Sequence, residues 1–213
     1  MPDEVPIVLS RYQATPLLQS RTTVGATVRT STDLNLTNTD ATIEDDGVRF
    51  PPGPLLTWDD LEEIADNENG CFIVHDDGLE LIRVFSETTN WLRSLMPTEG
   101  APTMLVSGIP MHRIQDIDPY HDTLKKVRTV APLTGVVLDT ATGLGYTAIE
   151  AAKTAGVQRV VTIELDPGGL EVARLNPWSR GLFDNPKIEQ VVGDTFEEVQ
   201  GFPDNTFSRV LHD

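Results

Sequence analysis

The pattern of apolar and polar positions divides this chain into two stretches of different character. Up to about residue 105 the apolar positions come in short runs with weak alternation. Glu4–Tyr12, Thr22–Arg29 and Ser31–Thr37 read as short strands rich in β-branched residues. Thr42–Phe50 and Phe72–Phe85 each place Asp-Asp-Gly between apolar arms, which predicts two hairpins. A helix start follows each one: Thr57 with Asp60 three positions on, and Ser86 ahead of a Trp91-Leu92-Leu95 face. Asn69-Gly70 reads as the stop of the first of these helices, and Pro51-Pro52-Gly53-Pro54 as a loop. Residues 1–105 are therefore expected to form a small α+β domain, with a possible repeat of a hairpin-plus-helix unit.

The pattern then changes to strands alternating with helices. Thr103–Val106 is a short strand, and Ser107–Arg113 is irregular. Asp118-Pro119 opens a helix whose stripe is Leu124, Val127 and Val130, and Pro132 stops it. Val136-Val137-Leu138 is a short apolar run into Asp139, as a buried parallel strand requires. A small-residue loop and an Ala-rich helix over Thr147–Ala155 come next. Arg159–Glu164 is a second strand, and Asp166-Pro167 opens a helix to about Asn176. Lys187–Val192 is a third strand, Glu197–Gln200 a short helix, and Phe207–Leu211 a fourth strand. Such alternation predicts an α/β domain over 106–213 with a parallel, Rossmann-like doubly wound sheet.

Composition narrows the partners. Lys+Arg total 16 against 33 Asp+Glu, a formal net charge of -17, and the only lysines are Lys125, Lys126, Lys153 and Lys187. Phosphate backbones and anionic membranes need clustered cations, so bulk nucleic-acid or membrane binding is not expected. The acid-rich, lysine-poor balance resembles cytoplasmic proteins of salt-loving archaea, where molar salt shortens the Debye length to about 3 Å and screens the carboxylates. Cys71 is the single cysteine, so there is no disulfide framework. The four histidines form no close pair at ligand spacing, and no metal site is expected. No apolar run long enough to span a membrane occurs, and a cytoplasmic location is the expectation.

The candidate chemistry lies at the ends of the predicted parallel strands. Gly143, Gly145 and Ala148 match G-x-G-x-x-A, a nucleotide-loop pattern that is weak alone. Asp139, four residues before Gly143, sharpens it. Glu164 follows Gly145 by 19 residues, where one helix and one strand place a ribose-binding acid. Its alternative is a solvated strand-end acid. Asp166 already has a role as a helix cap. Asp194 ends the third strand and either contacts a base or caps the next helix. Asn176-Pro177-Trp178-Ser179 reads first as a helix stop with a packed tryptophan.

The run Asp139-Thr140-Ala141-Thr142-Gly143-Leu144-Gly145 resembles motif I of class I S-adenosylmethionine-dependent methyltransferases, with Ala141 where a further glycine is usual. Ser107–Arg113, Leu138–Glu150 and Leu175–Phe183 together are similar to a group of archaeal methyltransferases related to, but distinct from, spermidine and spermine synthases. The resemblance implies S-adenosylmethionine as cofactor and methyl transfer to an unidentified acceptor. It implies cofactor contacts from Asp139, Thr140, Ala141, Thr142, Gly143, Gly145, Tyr146, Glu164, Leu165, Asp194 and Thr195. Asp139 would hold the amino group, Glu164 the ribose, and Asp194 and Thr195 the adenine edge against Leu165. Asp213, after the fourth strand, would handle the acceptor, and His112, Arg113 and His121 are weaker acceptor candidates. The family's sheet has more strands than the four read here, so a sheet incomplete after the fourth strand is expected. Three acids suit a sulfonium and an ammonium and oppose a pyrophosphate, which disfavours a nicotinamide cofactor. Asp118-Pro119-Tyr120-His121-Asp122, with Asp213, is also similar to aminopropyltransferases, which use decarboxylated S-adenosylmethionine. That activity and a non-catalytic cofactor-binding scaffold stay as alternatives.

Overall fold

The structure is a computed structural model describing residues 6–51 and 53–212. The chain divides into two compact units, one of residues 1–82 and 94–102, the other of 83–93 and 103–213. The sequence boundary at 105 thus differs from a division that gives 83–93 to the second unit.

Among its described residues the first unit carries two helices and two antiparallel sheets. Strand β1 (Ile7–Ser10) runs directly into helix α1 (Arg11–Gln19). Strands β2 (Thr27–Thr30), β3 (Thr39–Ile43), β4 (Gly47–Arg49) and β5 (Leu55–Thr57) form a meander in sequence order. Helix α2 (Trp58–Asp66) follows, then β6 (Cys71–His75) and β7 (Gly78–Leu81), which pair with β1 in the order β1-β6-β7. Both Asp-Asp-Gly hairpins are present, as β3–β4 and β6–β7. Thr57 and Asp60 close a capping box at the start of α2, where the sequence placed it. Leu9, Leu17, Ile43, Phe50, Leu61 and Ile64 are among the buried core of this unit.

Several sequence expectations fail here. Residues 11–19 are helical, because Ser10 and Gln13 form a capping box and Gln13, Ala14 and Leu17 bury one helical face. Ser31–Thr37 forms no strand; Asp33 takes bonds from the Ser31 hydroxyl and from Thr37, and so folds the segment into a turn. The Trp91 segment is a strand rather than a helix, and the idea of a repeated hairpin-plus-helix unit falls with it. Its buried residues are Arg93 and Leu95, two apart, whereas Trp91 and Leu92 stay exposed, so a period of two wins. The first helix also stops at Asp66, before Asn69-Gly70.

In the second unit, β8 (Arg83–Ser86), β9 (Trp91–Met96), β10 (Thr103–Val106) and β11 (Ile109–Pro110) form a sheet in the order β11-β10-β9-β8, with Ser94–Met96 counted in the first unit. Helix α3 (Pro119–Thr129) is capped by Asp118, whose carboxylate accepts from Tyr120 and His121 N–H. Next come β12 (Gly135–Asp139), α4 (Tyr146–Lys153), β13 (Val157–Glu164) and α5 (Pro167–Leu175). A single 3-10 turn, Pro177–Ser179, leads to α6 (Arg180–Asp184). Strand β14 (Ile188–Val192), α7 (Thr195–Glu198) and β15 (Arg209–Leu211) complete the described chain.

These last four strands form one parallel sheet in the order β14-β13-β12-β15. Its core strands are apolar on both faces: Val137, Leu138, Val160, Val161 and Ile163 are all buried. Asp139 aligns with Thr162 on one side and Leu211 on the other, and Glu164 with Val192. All four strands therefore end on one edge, where open parallel sheets bind ligands. Among the described residues no helix is long and apolar enough to cross a membrane.

Candidate functional site

At the end of β12 the chain turns through the glycine loop. Gly143 has φ +52 and Gly145 φ +75, a left-handed backbone that L side chains avoid. The two glycines serve different neighbours. A Cβ on Gly145 would lie 2.7 Å from Leu182, which is fully buried, so this glycine lets α4 pack. A Cβ on Gly143 would lie 2.2 Å from the Cε of Met111, which is 40% exposed. That face of Gly143 is covered by one flexible side chain from the segment after β11.

Glu164 is the most organised of the predicted acids. Gly143 N–H donates to its Oε2 at 2.8 Å and Asp166 N–H to its Oε1 at 3.0 Å. Each oxygen keeps a further lone pair, so the half-buried carboxylate can still accept two hydroxyls. Behind it, Asp166 is buried. Burial would push its carboxyl up, but bonds from Ser86, Thr89, Arg93 and Gly168 N–H prevail and hold it below the ordinary carboxylate value. Arg93 Nε donates at 2.7 Å and Thr89 Oγ1 at 2.9 Å, so the turn after β13 is fixed by an ion pair that itself is buried.

Asp139 is buried to 1% exposure, and its Oδ2 accepts from Thr162 Oγ1 at 3.0 Å. Thr142 Oγ1 meets Thr162 Oγ1 at 2.7 Å, which ties the loop to the neighbouring strand. The Thr140 carbonyl accepts from Thr195 Oγ1 at 2.7 Å, and Ala141 is exposed. Asp194 Oδ1 caps α7 by accepting from Phe196 N–H at 2.8 Å. Leu165, Val192 and Phe196, near the ends of β13 and β14, are all exposed apolar side chains. Two acids and an apolar rim thus lie at the ends of β13 and β14.

Tyr146 points inward: it is buried, and its hydroxyl accepts from Asn176 Nδ2 at 2.9 Å. Asn176 Nδ2 also donates to Ser179 Oγ at 2.7 Å, and Ser179 Oγ donates to the Leu144 carbonyl at 2.7 Å. The Asn176–Ser179 turn is therefore a brace for the glycine loop, a role the sequence reading missed; its signal was the pairing of two small polar side chains around a proline turn. His112 stacks on Tyr146 with centroids 5.4 Å apart, and its Nδ1 lies 3.0 Å from Thr103 Oγ1. Arg113 is exposed. His121 is exposed and bonds through its ring to Asp118. Its neighbour Tyr120 packs on Trp178 at 5.5 Å. Of the three upstream candidates, His112 is the one the structure brings against the glycine-loop helix, through Tyr146. The candidate Asp213 lies outside the described residues. No group of His, Cys, Asp and Glu among the described residues could hold a metal ion.

No protein-family model matches the chain. An uncharacterized protein of Methanocaldococcus jannaschii is 38% identical over 166 residues, 78% of this chain and 55% of that protein. Polyamine aminopropyltransferase 1 of Hyperthermus butylicus is 33% identical over 101 residues, 46% of this chain and 35% of that enzyme. The crystal structure of spermidine synthase from Thermotoga maritima superimposes with TM-score 0.50 at 23% identity, covering 65% of this chain and 50% of that one. The chain therefore has the Rossmann-like α/β fold of spermidine synthases and shares sequence with polyamine aminopropyltransferases. It spans about half the length of the first of these relatives and about a third of the second.

Proposed function

We propose that this chain binds S-adenosylmethionine and transfers its methyl group to an acceptor. The observation that carries the reading is Glu164, held by Gly143 and Asp166 N–H at the shared ends of two parallel strands. The donor set fits the cofactor. Glu164 would take the ribose hydroxyls, and Asp194, with Oδ1 committed to its cap, would offer its other oxygen to the adenine amino group. Asp139 would face the amino-acid end, and Leu165 would wall the base. Carboxylates complement a sulfonium and an ammonium, whereas a pyrophosphate would need unopposed N–H groups, and here Gly143 N–H is taken by Glu164. When bound, the cofactor supplies an electrophilic methyl carbon; the protein's part is alignment and exclusion of water.

Aminopropyl transfer is the second reading, favoured by the 33% identity to an aminopropyltransferase. Asp139 suits either cofactor, since decarboxylated S-adenosylmethionine loses the carboxylate and keeps the amine that this acid would take; the two readings part at the carboxylate end. Calorimetric titration with S-adenosylhomocysteine, methylthioadenosine and NAD tests the proposal. Tight binding of NAD, or of none of the three, would overturn it.

A further inference from the structure

Beyond the cofactor contacts, the end of β15 carries a side chain that the proposed reaction can use. His212 follows Leu211 directly and lies beside Thr140, which follows Asp139 on the adjacent strand. Its Nδ1 is 2.6 Å from Thr140 Oγ1. The same hydroxyl donates to the Leu211 carbonyl at 3.2 Å, and Thr140 N–H reaches that carbonyl at 3.0 Å.

A hydroxyl has one proton. If Thr140 gave it to His212, its oxygen would face the Leu211 carbonyl as acceptor against acceptor. If Thr140 gives it to Leu211, the short contact needs a proton on His212 Nδ1, and both contacts become hydrogen bonds. The second arrangement fixes the tautomer: Nδ1 carries the hydrogen and Nε2 carries a lone pair. The residue is exposed, so the ring is open to solvent and to a ligand.

The sheet order gives the place a meaning. Glu164 and Asp194 end β13 and β14, on one side of β12, while His212 ends β15 on the other. We infer that His212 is the proton acceptor for the nucleophile, with Thr140 as the residue that positions it. This role rests on the methyl-transfer reading above. The acceptor's lone pair forms the new bond to carbon as the carbon–sulfur pair returns to sulfur. The acceptor's N–H or O–H proton passes to Nε2, and the imidazolium then returns it to water.

The test is two-bond proton–nitrogen correlation NMR on the full chain labelled with nitrogen-15, above the ring's titration. The expected result is a protonated Nδ1 and an unprotonated Nε2 for His212 in the free protein, with loss of that preference in Thr140→Val. A dominant Nε2–H tautomer, or a Thr140→Val ring unchanged from the parent, overturns the inference without touching the cofactor reading. Sinefungin, which carries an amine in place of the sulfonium methyl, should shift the His212 Nε2 resonance, and S-adenosylhomocysteine should do so much less. Binding of both nucleosides with no such difference contradicts the role. Failure of both to bind overturns the cofactor reading and the role with it.

Discussion

The main-chain N–H of Gly143 donates to Oε2 of Glu164 across 2.8 Å, so the glycine loop and the end of β13 are joined through the carboxylate itself. The acid that would hold a ribose is thereby pre-positioned, and its rotamer is not left to solvent. Glu164→Ala should weaken S-adenosylhomocysteine binding by about 1.5–3 kcal/mol, roughly ten- to hundredfold, as expected for hydrogen bonds to a charged group. Calorimetry checks it; retained affinity would remove the ribose assignment.

The two loop glycines should differ in cost. Alanine at either site meets a left-handed backbone, costing about 1–2 kcal/mol. Gly145→Ala also drives into Leu182, which is buried and cannot retreat, adding about 1–3 kcal/mol of overpacking. Gly143→Ala meets only the end of the Met111 side chain, which is part-exposed. Urea unfolding should therefore rank Gly145→Ala as the less stable; the reverse order would contradict the packing described.

Ser179→Ala should leave the Leu144 carbonyl without its hydroxyl partner inside a buried loop, at a cost of about 1–3 kcal/mol. Hydrogen exchange should show faster opening of residues 142–146 than in the parent chain. Unchanged exchange there would show that the turn does not brace the loop.

The buried Asp166 carboxyl titrates below its ordinary value when folded, so it binds protons more weakly in the native state than in the unfolded chain. Its contribution to stability is then complete above the usual carboxylate value of about 4 and is lost as the pH falls through the depressed folded value. Asp166→Asn should flatten this part of the acid-unfolding curve. Arg93→Ala, which strands a buried charge, should destabilise the protein at neutral pH by about 3–5 kcal/mol. An unchanged acid limb in Asp166→Asn would contradict the assignment.

Much of the second unit was legible because its signals are local. Apolar runs of strand length, Asp-Pro helix starts and a glycine loop each act within a few residues, and Asp118 and Asp166 cap their helices as read. The failures have equally particular causes. The Ser10–Gln13 capping box was overlooked in a stretch whose valines and isoleucine resemble strand, and Trp91-Leu92-Leu95 mimics a helical face while Arg93 and Leu95 do the packing. The missed parts of the site are pairings across long sequence separations: Met111 on Gly143, Ser179 on Leu144, His212 on Thr140. No spacing rule links residues that meet only once the sheet forms. Arg93 with Asp166 is the same case, a buried partner 73 positions away.

Methyl and aminopropyl transfer differ in whether the amino-acid end of the nucleoside is read. The most direct measurement is the ratio of dissociation constants for methylthioadenosine and S-adenosylhomocysteine, titrated into the full chain in molar potassium chloride. Methyl transfer predicts S-adenosylhomocysteine binding at least tenfold tighter, because only it carries the amino-acid end that Asp139 would face. Equal affinity for the two, or tighter methylthioadenosine, would contradict methyl transfer and turn the assignment to aminopropyl transfer.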